Sequence, residues 1–129
     1  MVEMPVPGLY FVIANDVRAR FVRPDLDNRP HTIRAVDAVT LGHSGGISPD
    51  EMPGGFAGLL AQSIIDEFAV DLFTHLVLVA PSHVLRDLIA MLDGPAAASL
   101  IGSLAADLVT VPDHELRPLL GEWLPVIHD

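Results

Sequence analysis

Two uninterrupted apolar runs limit what this chain can fold into more than any other feature. One is Leu9-Tyr10-Phe11-Val12-Ile13-Ala14, set between Pro7-Gly8 and Asn15-Asp16; the other is Leu76-Val77-Leu78-Val79-Ala80, headed by His75 and ended by Pro81. Neither alternates polar with apolar residues, and both are rich in β-branched or aromatic side chains. Each reads as a strand buried on both faces, which requires a sheet with helices packed over it.

The rest of the chain supplies the other layers. Asn15-Asp16 is turn chemistry, and Arg18-Ala19-Arg20-Phe21-Val22-Arg23 alternates in part, so a hairpin is expected. A loop follows over 24–30, and 31–39 reads as a third, half-exposed strand. Residues 40–55 hold five glycines and two prolines without a period, a length that usually carries function when it occurs in a compact domain. Beyond it, Phe56, Leu59, Leu60, Ile64 and Phe68 form a helical stripe, with Asp66, Glu67 and Asp71 off it. Pro81 starts a second helix with the stripe Leu85, Leu88, Ile89 and Leu92. After Asp93-Gly94-Pro95, the positions Ala97, Leu100, Ile101, Leu104 and Leu108 suggest a third helix. Val109-Thr110-Val111 then reads as a short edge strand. Thr110 and Asp113 resemble a capping box for a last helix whose inward residues are Leu116, Leu119, Leu120 and Trp123. The expected fold class is α/β: a single domain of 129 residues, in which a β-meander and then helix–strand alternation build a mixed five-stranded sheet flanked by helices.

Charge excludes one broad class of partner. The net charge is −10, from 17 acids against seven basic residues, all of them arginine. Five arginines (18, 20, 23, 29, 34) balance five acids through residue 47; the remaining twelve acids face only Arg86 and Arg117. Such a field repels phosphate backbones, so nucleic acid is not an expected partner. The early apolar run is short and follows Glu3, which does not fit a signal peptide, and no run reaches 18 apolar residues. The expectation is a cytoplasmic domain without a membrane span.

Several stretches together resemble one family. Val12-Ile13-Ala14-Asn15-Asp16 with Arg18-Ala19-Arg20-Phe21, then Leu76-Val77-Leu78-Val79-Ala80-Pro81-Ser82, Ala106-Asp107-Leu108 and Pro112-Asp113-His114-Glu115-Leu116 look like the bacterial "protein required for attachment to host cells" family. That resemblance implies a fold similar to the middle domain of archaeo-eukaryotic peptide-release factors, a ribonuclease-H-like layout. Those factors carry Gly-Gly-Gln in the loop before the first long helix, where this chain has Gly45-Gly46-Ile47. Isoleucine can neither position water nor hydrogen-bond a transition state, and this departure puts the peptidyl-tRNA hydrolysis role in doubt.

The residues able to do chemistry are few. In the long loop, His43, Ser44, Gly45 and Gly46 combine an imidazole, a hydroxyl and flexible backbone, although neighbours on an extended chain point apart. Ser82 and His83 open a helix at the carboxyl end of a buried strand, a favoured ligand position in α/β sheets; helix capping is the plainer reading. Asp16, Arg18, Arg20 and Arg34 complete a candidate binding face, which also reads as the solvated side of a hairpin. His75 reads as a satisfied core histidine. The six histidines show no HxH, HxxxH or HExxH spacing, and phosphate-loop and nucleophile-elbow motifs are absent. No metal or cofactor is expected. The favoured reading is a non-catalytic binding domain with a protein partner. Its Ala-rich segment at 96–106 suggests a close-packing homodimer face. The alternative is a ribosome-associated or release-factor-like hydrolase working through the 40–55 loop.

Overall fold

The computed structural model describes residues 8–24, 29–37, 55–70 and 73–120. One mixed sheet has the order β3-β2-β1-β4-β5, where β1 is Leu9–Ala14, β2 Arg18–Pro24, β3 Pro30–Asp37, β4 His75–Ala80 and β5 Leu100–Ala105. β1, β2 and β3 run antiparallel to their neighbours as a meander, while β1–β4 and β4–β5 are parallel. The helices are α1 (Gly55–Ala69), α2 (Ser82–Met91), α3 (Gly94–Ala98) and α4 (Asp113–Leu119).

The two apolar runs take the two most covered places, β1 and β4, side by side at the centre. Period two sorts their side chains. Tyr10, Val12, Ala14, Leu76, Leu78 and Ala80 face a core closed by Phe56, Leu60, Ile64, Phe73, Val84 and Leu88. Leu9, Phe11, Ile13, Val77 and Val79 face a second, smaller core closed by Val109, Leu116 and Leu120. Gly8 makes the entry to β1 possible: its φ is +74°, and a Cβ there would stand 2.5 Å from Thr74 Oγ1. Its carbonyl accepts from the N–H groups of Thr74 (2.8 Å) and His75 (3.1 Å), which ties the start of β1 to the start of β4.

The structure departs from expectation after residue 94. The third helix stops at Ala98, and 100–105 is β5, so the five-strand count holds with a different fifth strand. Asp93 caps α3 by accepting from Ala96 N–H at 3.0 Å, and buried Ser99 closes it by donating to the Ala96 carbonyl. Leu100, Gly102 and Leu104 are half-buried while Ile101, Ser103 and Ala105 are exposed, but a register shift against β4 sends Leu100 to the larger core and Leu104 to the smaller one, so no single strand face carries the pattern and the same positions also fit a 3.6 stripe. β4 is buried on both faces, and the backbone groups on its far edge are satisfied by parallel pairing with β5. The small-residue helix face behind the homodimer expectation is therefore not formed. Residues 109–111 make a turn, with Val111 N–H donating to the Leu108 carbonyl at 3.1 Å.

Val84 is buried where Ile89 is exposed, so the inward face of α2 is rotated towards its start. Glu67, placed off the apolar stripe of α1, is buried. Leu119 is exposed, and Trp123 lies outside the described residues. Among the described residues, no helix is long and apolar enough to cross a membrane.

Candidate functional site

From the carboxyl end of β1 the chain turns back into β2, on one side of the sheet. From the adjacent carboxyl end of β4 it leaves through α2 towards β5, on the other. The adjacent carboxyl ends of β1 and β4 thus bring the β1–β2 turn and the first turn of α2 together as two lips, at the end of the sheet where parallel strands favour ligands. Asn15 shapes one lip: its Oδ1 accepts from the N–H groups of Val17 and Arg18, both at 2.9 Å, and its own N–H donates to the Arg18 carbonyl. This turn presents Asp16 outward. The other lip is the first turn of α2, where His83 Nε2 lies 2.7 Å from Asp16 Oδ1. Two candidates 67 residues apart in sequence thus form one pair, more than half exposed on both sides. The carboxylate fixes the imidazole's orientation and leaves Nδ1 as its second hydrogen-bonding atom.

Ser82 is exposed beside them but does not cap the helix, because the cap position is Pro81 and no side chain hydrogen-bonds there. From Ser82 a shallow groove of about 490 Å³ runs along α2, lined by Leu85, Arg86, Ile89 and Ala90.

The arginines are used differently. Arg20 is not on a solvated face; it is buried beneath residues 108–113. By alternation with Ala19 and Phe21 its side chain lies on the sheet face of the smaller core, where a long cation needs acceptors. It donates to the carbonyls of Leu108 (3.3 Å), Val109 (3.2 Å) and Val111, to Thr32 Oγ1, and to the Asp113 carboxylate. Asp113 also accepts from the Thr32 hydroxyl and from Thr32 N–H at 3.0 Å. Partial burial pushes the Asp113 carboxyl up, but the hydrogen bonds from Thr32 and Arg20 and the guanidinium charge outweigh it and hold the group below its ordinary value. Asp113 is thus a clamp between α4, β2 and β3 rather than half of a capping box.

Arg34 is exposed on β3, stacks over the Phe21 ring at 4.4 Å and donates to Glu67 Oε2 at 3.0 Å. Burial nevertheless raises Glu67 above its ordinary value, despite the lowering by Arg34 and Ser63. A raised folded-state value favours the fold below the unfolded value of Glu and loses that contribution as pH rises through the folded one. Glu67→Gln is accordingly expected to change stability at neutral pH by less than about 1 kcal/mol, towards neutral or favourable, and to flatten the pH dependence above the ordinary Glu value. Urea titrations of both proteins from pH 4 to pH 8 check it; a clear destabilisation at neutral pH would mean that the ion pair outweighs the burial.

Arg18 is exposed and lines a second groove, of about 710 Å³, with Ala35, Asp37, Thr110 and Pro112. His75 is half-buried, its Nδ1 3.0 Å from Thr74 Oγ1. His43, Ser44, Gly45, Gly46 and Ile47 lie outside the described residues. Among the described residues, no three His, Asp or Glu side chains are grouped to hold a metal.

The sequence offers Asp113 only as half of a capping box and gives Thr32 no role, because the partners of a buried arginine leave no local signature. The available signal was Arg20 itself, a charge at a position that the alternation of β2 turns inward.

The model of a family described as "protein required for attachment to host cells" matches residues 50–120, which include everything from α1 to α4 and more than half of the chain. No curated protein matches the sequence.

Proposed function

The chain belongs to the family of proteins required for attachment to host cells, and from that premise we propose that it is a non-catalytic binding domain acting inside the cell. Its recognition surface is the outer face of α2 with the Asp16–His83 pair beside it. The observation that carries the reading is the apolar groove of Leu85, Ile89 and Ala90 starting next to an oriented, exposed polar pair. An apolar centre with a polar rim is how protein interfaces are built.

Charge selects the kind of partner. A second copy would bring another −10, whereas a partner with basic residues around an apolar anchor complements the acidic molecule and Asp16 beside the groove, provided its cations pass to the side away from Arg86 in the lining. RNA is disfavoured because Arg20 and Arg34 are engaged with Asp113 and Glu67.

Peptide-display selection against the intact protein tests the proposal. Selected peptides are expected to carry an apolar residue flanked by basic ones, and to lose at least about tenfold in affinity for Ile89→Asp, with a smaller loss for His83→Ala. Equal binding to Ile89→Asp overturns the assignment of the surface. Sedimentation of the free protein as a micromolar dimer that Ile89→Asp dissociates would give the same surface to self-association instead.

A further inference from the structure

The order β3-β2-β1-β4-β5 makes β3 and β5 the two edges of the sheet, and the two are built differently. β3 begins at Pro30 and carries His31, Arg34 and Asp37, the proline and charges with which natural edges keep other strands away. β5 has neither: residues 94–106 hold no charged side chain, and the strand reads Leu-Ile-Gly-Ser-Leu-Ala. Among the described residues no strand lies beyond it, and outside its ladder with β4 no backbone hydrogen bond reaches residues 100–105. Ala106 N–H donates to the Ala80 carbonyl at 3.0 Å, and the register from Gly102 to Ala105 is regular. Alternation therefore turns the N–H and C=O of Ser103 and Ala105 away from β4. Both of those side chains are exposed. Leu100 is half-buried on the larger core and Leu104 on the smaller, so both layers end unfinished along this edge.

We propose that β5 is the interface of a symmetric dimer, in which it pairs antiparallel with β5 of a second copy and the two sheets become one. A two-fold axis beside Leu104 sets Ser103 opposite Ala105 of the second copy, and each such pair exchanges both its hydrogen bonds. The two Leu104 side chains then meet as a closely spaced pair and join the smaller cores. Self-complementarity selects a second copy over other strands. Residues 102–106, Gly-Ser-Leu-Ala-Ala, place one leucine between small residues in either direction, so the strand fits its own reverse. Two chains of −10 repel one another through acidic surfaces, and an edge uncharged from 94 to 106 is free of that cost. The nearest acid, Asp107, falls beside Ile101 of the second copy rather than beside another acid in this register. The interface shares no residue with the α2 surface and stands or falls without it.

Sedimentation equilibrium of the full chain, together with single-cysteine variants, tests the proposal. The wild type is expected to be a dimer with a Kd of about 10 μM or tighter. Ser103→Pro removes an outward N–H where an edge tolerates proline, and should raise that Kd at least about tenfold with circular dichroism unchanged. Ser103→Lys, at an exposed side chain, should act in the same direction and covers the case in which proline unfolds the strand. The chain has no cysteine, so Leu104→Cys introduces a single thiol. Its Cα would lie about 4.5 Å from its mate, within reach of a disulfide, and mild oxidation should cross-link it while leaving Ile89→Cys uncrosslinked. A wild type still monomeric at about 100 μM, a dimer unchanged in natively folded Ser103→Pro and Ser103→Lys, or equal cross-linking of Ile89→Cys each overturn the assignment. Dissociation by Ile89→Asp but not by Ser103→Pro moves the dimer to α2. A monomeric wild type whose selected peptides are lost in Ser103→Pro gives the edge to a strand of another protein instead.

Discussion

Replacing Arg20 with alanine is expected to lower stability by about 3–5 kcal/mol, which is a large part of what holds a domain of this size folded. The loss is not that of one ion pair. Arg20 serves the Asp113 carboxylate, the Thr32 hydroxyl and the carbonyls of Leu108, Val109 and Val111. Removing it leaves acceptors under the 108–113 turn without a donor, and each buried unsatisfied acceptor costs about 1–3 kcal/mol. Arg20→Met, which keeps the stem but no donor, should fall nearly as far. Asp113→Asn keeps the hydrogen-bonding shape and should lose about 1–2 kcal/mol. Arg20→Met combined with Asp113→Leu should recover part of the loss, because the pair is then removed together. Chemical denaturation of these variants and of Asp113→Leu alone decides: losses of Arg20→Met and Asp113→Leu that add up in the double variant would show that the two residues do not act as one clamp. The pH dependence has a fixed sign. Asp113 has a lowered folded-state value, so its contribution is present above the ordinary Asp value and disappears as pH falls through the folded one. The wild type should lose stability in that acid window, and Asp113→Asn should not show this loss.

Phe73→Ala should cost a similar amount, about 3–5 kcal/mol. Phe73 is 1% exposed, stacks on Tyr10 at 5.0 Å between ring centroids, and meets Phe68 of α1 at 5.4 Å. It fills the space between the end of α1 and the sheet just before β4 begins, so its removal leaves a void that the rigid β1–β4 pair cannot collapse to fill. Phe73→Leu, which retains most of the volume, should lose less than about 1.5 kcal/mol. A small loss for Phe73→Ala in thermal or urea unfolding would mean that the helix layer closes over the gap.

The sheet's interior was legible because burial on both faces leaves a simple record. β1, β4 and the hairpin partner β2 follow from apolar runs and turn residues read locally. The Ala-rich stretch at 96–105 was not legible, since Leu100, Ile101 and Leu104 satisfy a helical stripe and no single strand face carries an alternation. What it pairs with is the far edge of β4, formed by residues more than twenty positions away. The site was half legible. Asp16 and His83 were each suspect from their positions at strand ends, but their pairing depends on β1 and β4 being parallel neighbours. A solvent-facing surface is the expectation for Arg20 and Arg34: Arg34 is exposed and Arg20 is buried, and the partners of both, Asp113 and Glu67, come from helices whose placement over the sheet cannot be read from the hairpin itself.

The central pairing of β1 with β4 also has a consequence in time. Leu9 pairs with His75, which lies 66 positions downstream. At about 5–20 residues per second, the ribosome adds those residues over roughly 3–13 s. During that interval the nascent chain can close its β1–β2–β3 hairpins, yet Phe11, Val12 and Ile13 have neither their strand neighbour nor their helix cover. The strand that becomes the most protected part of the finished molecule is thus, at birth, its most adhesive part, and it stays so until residue 80 has cleared the exit tunnel.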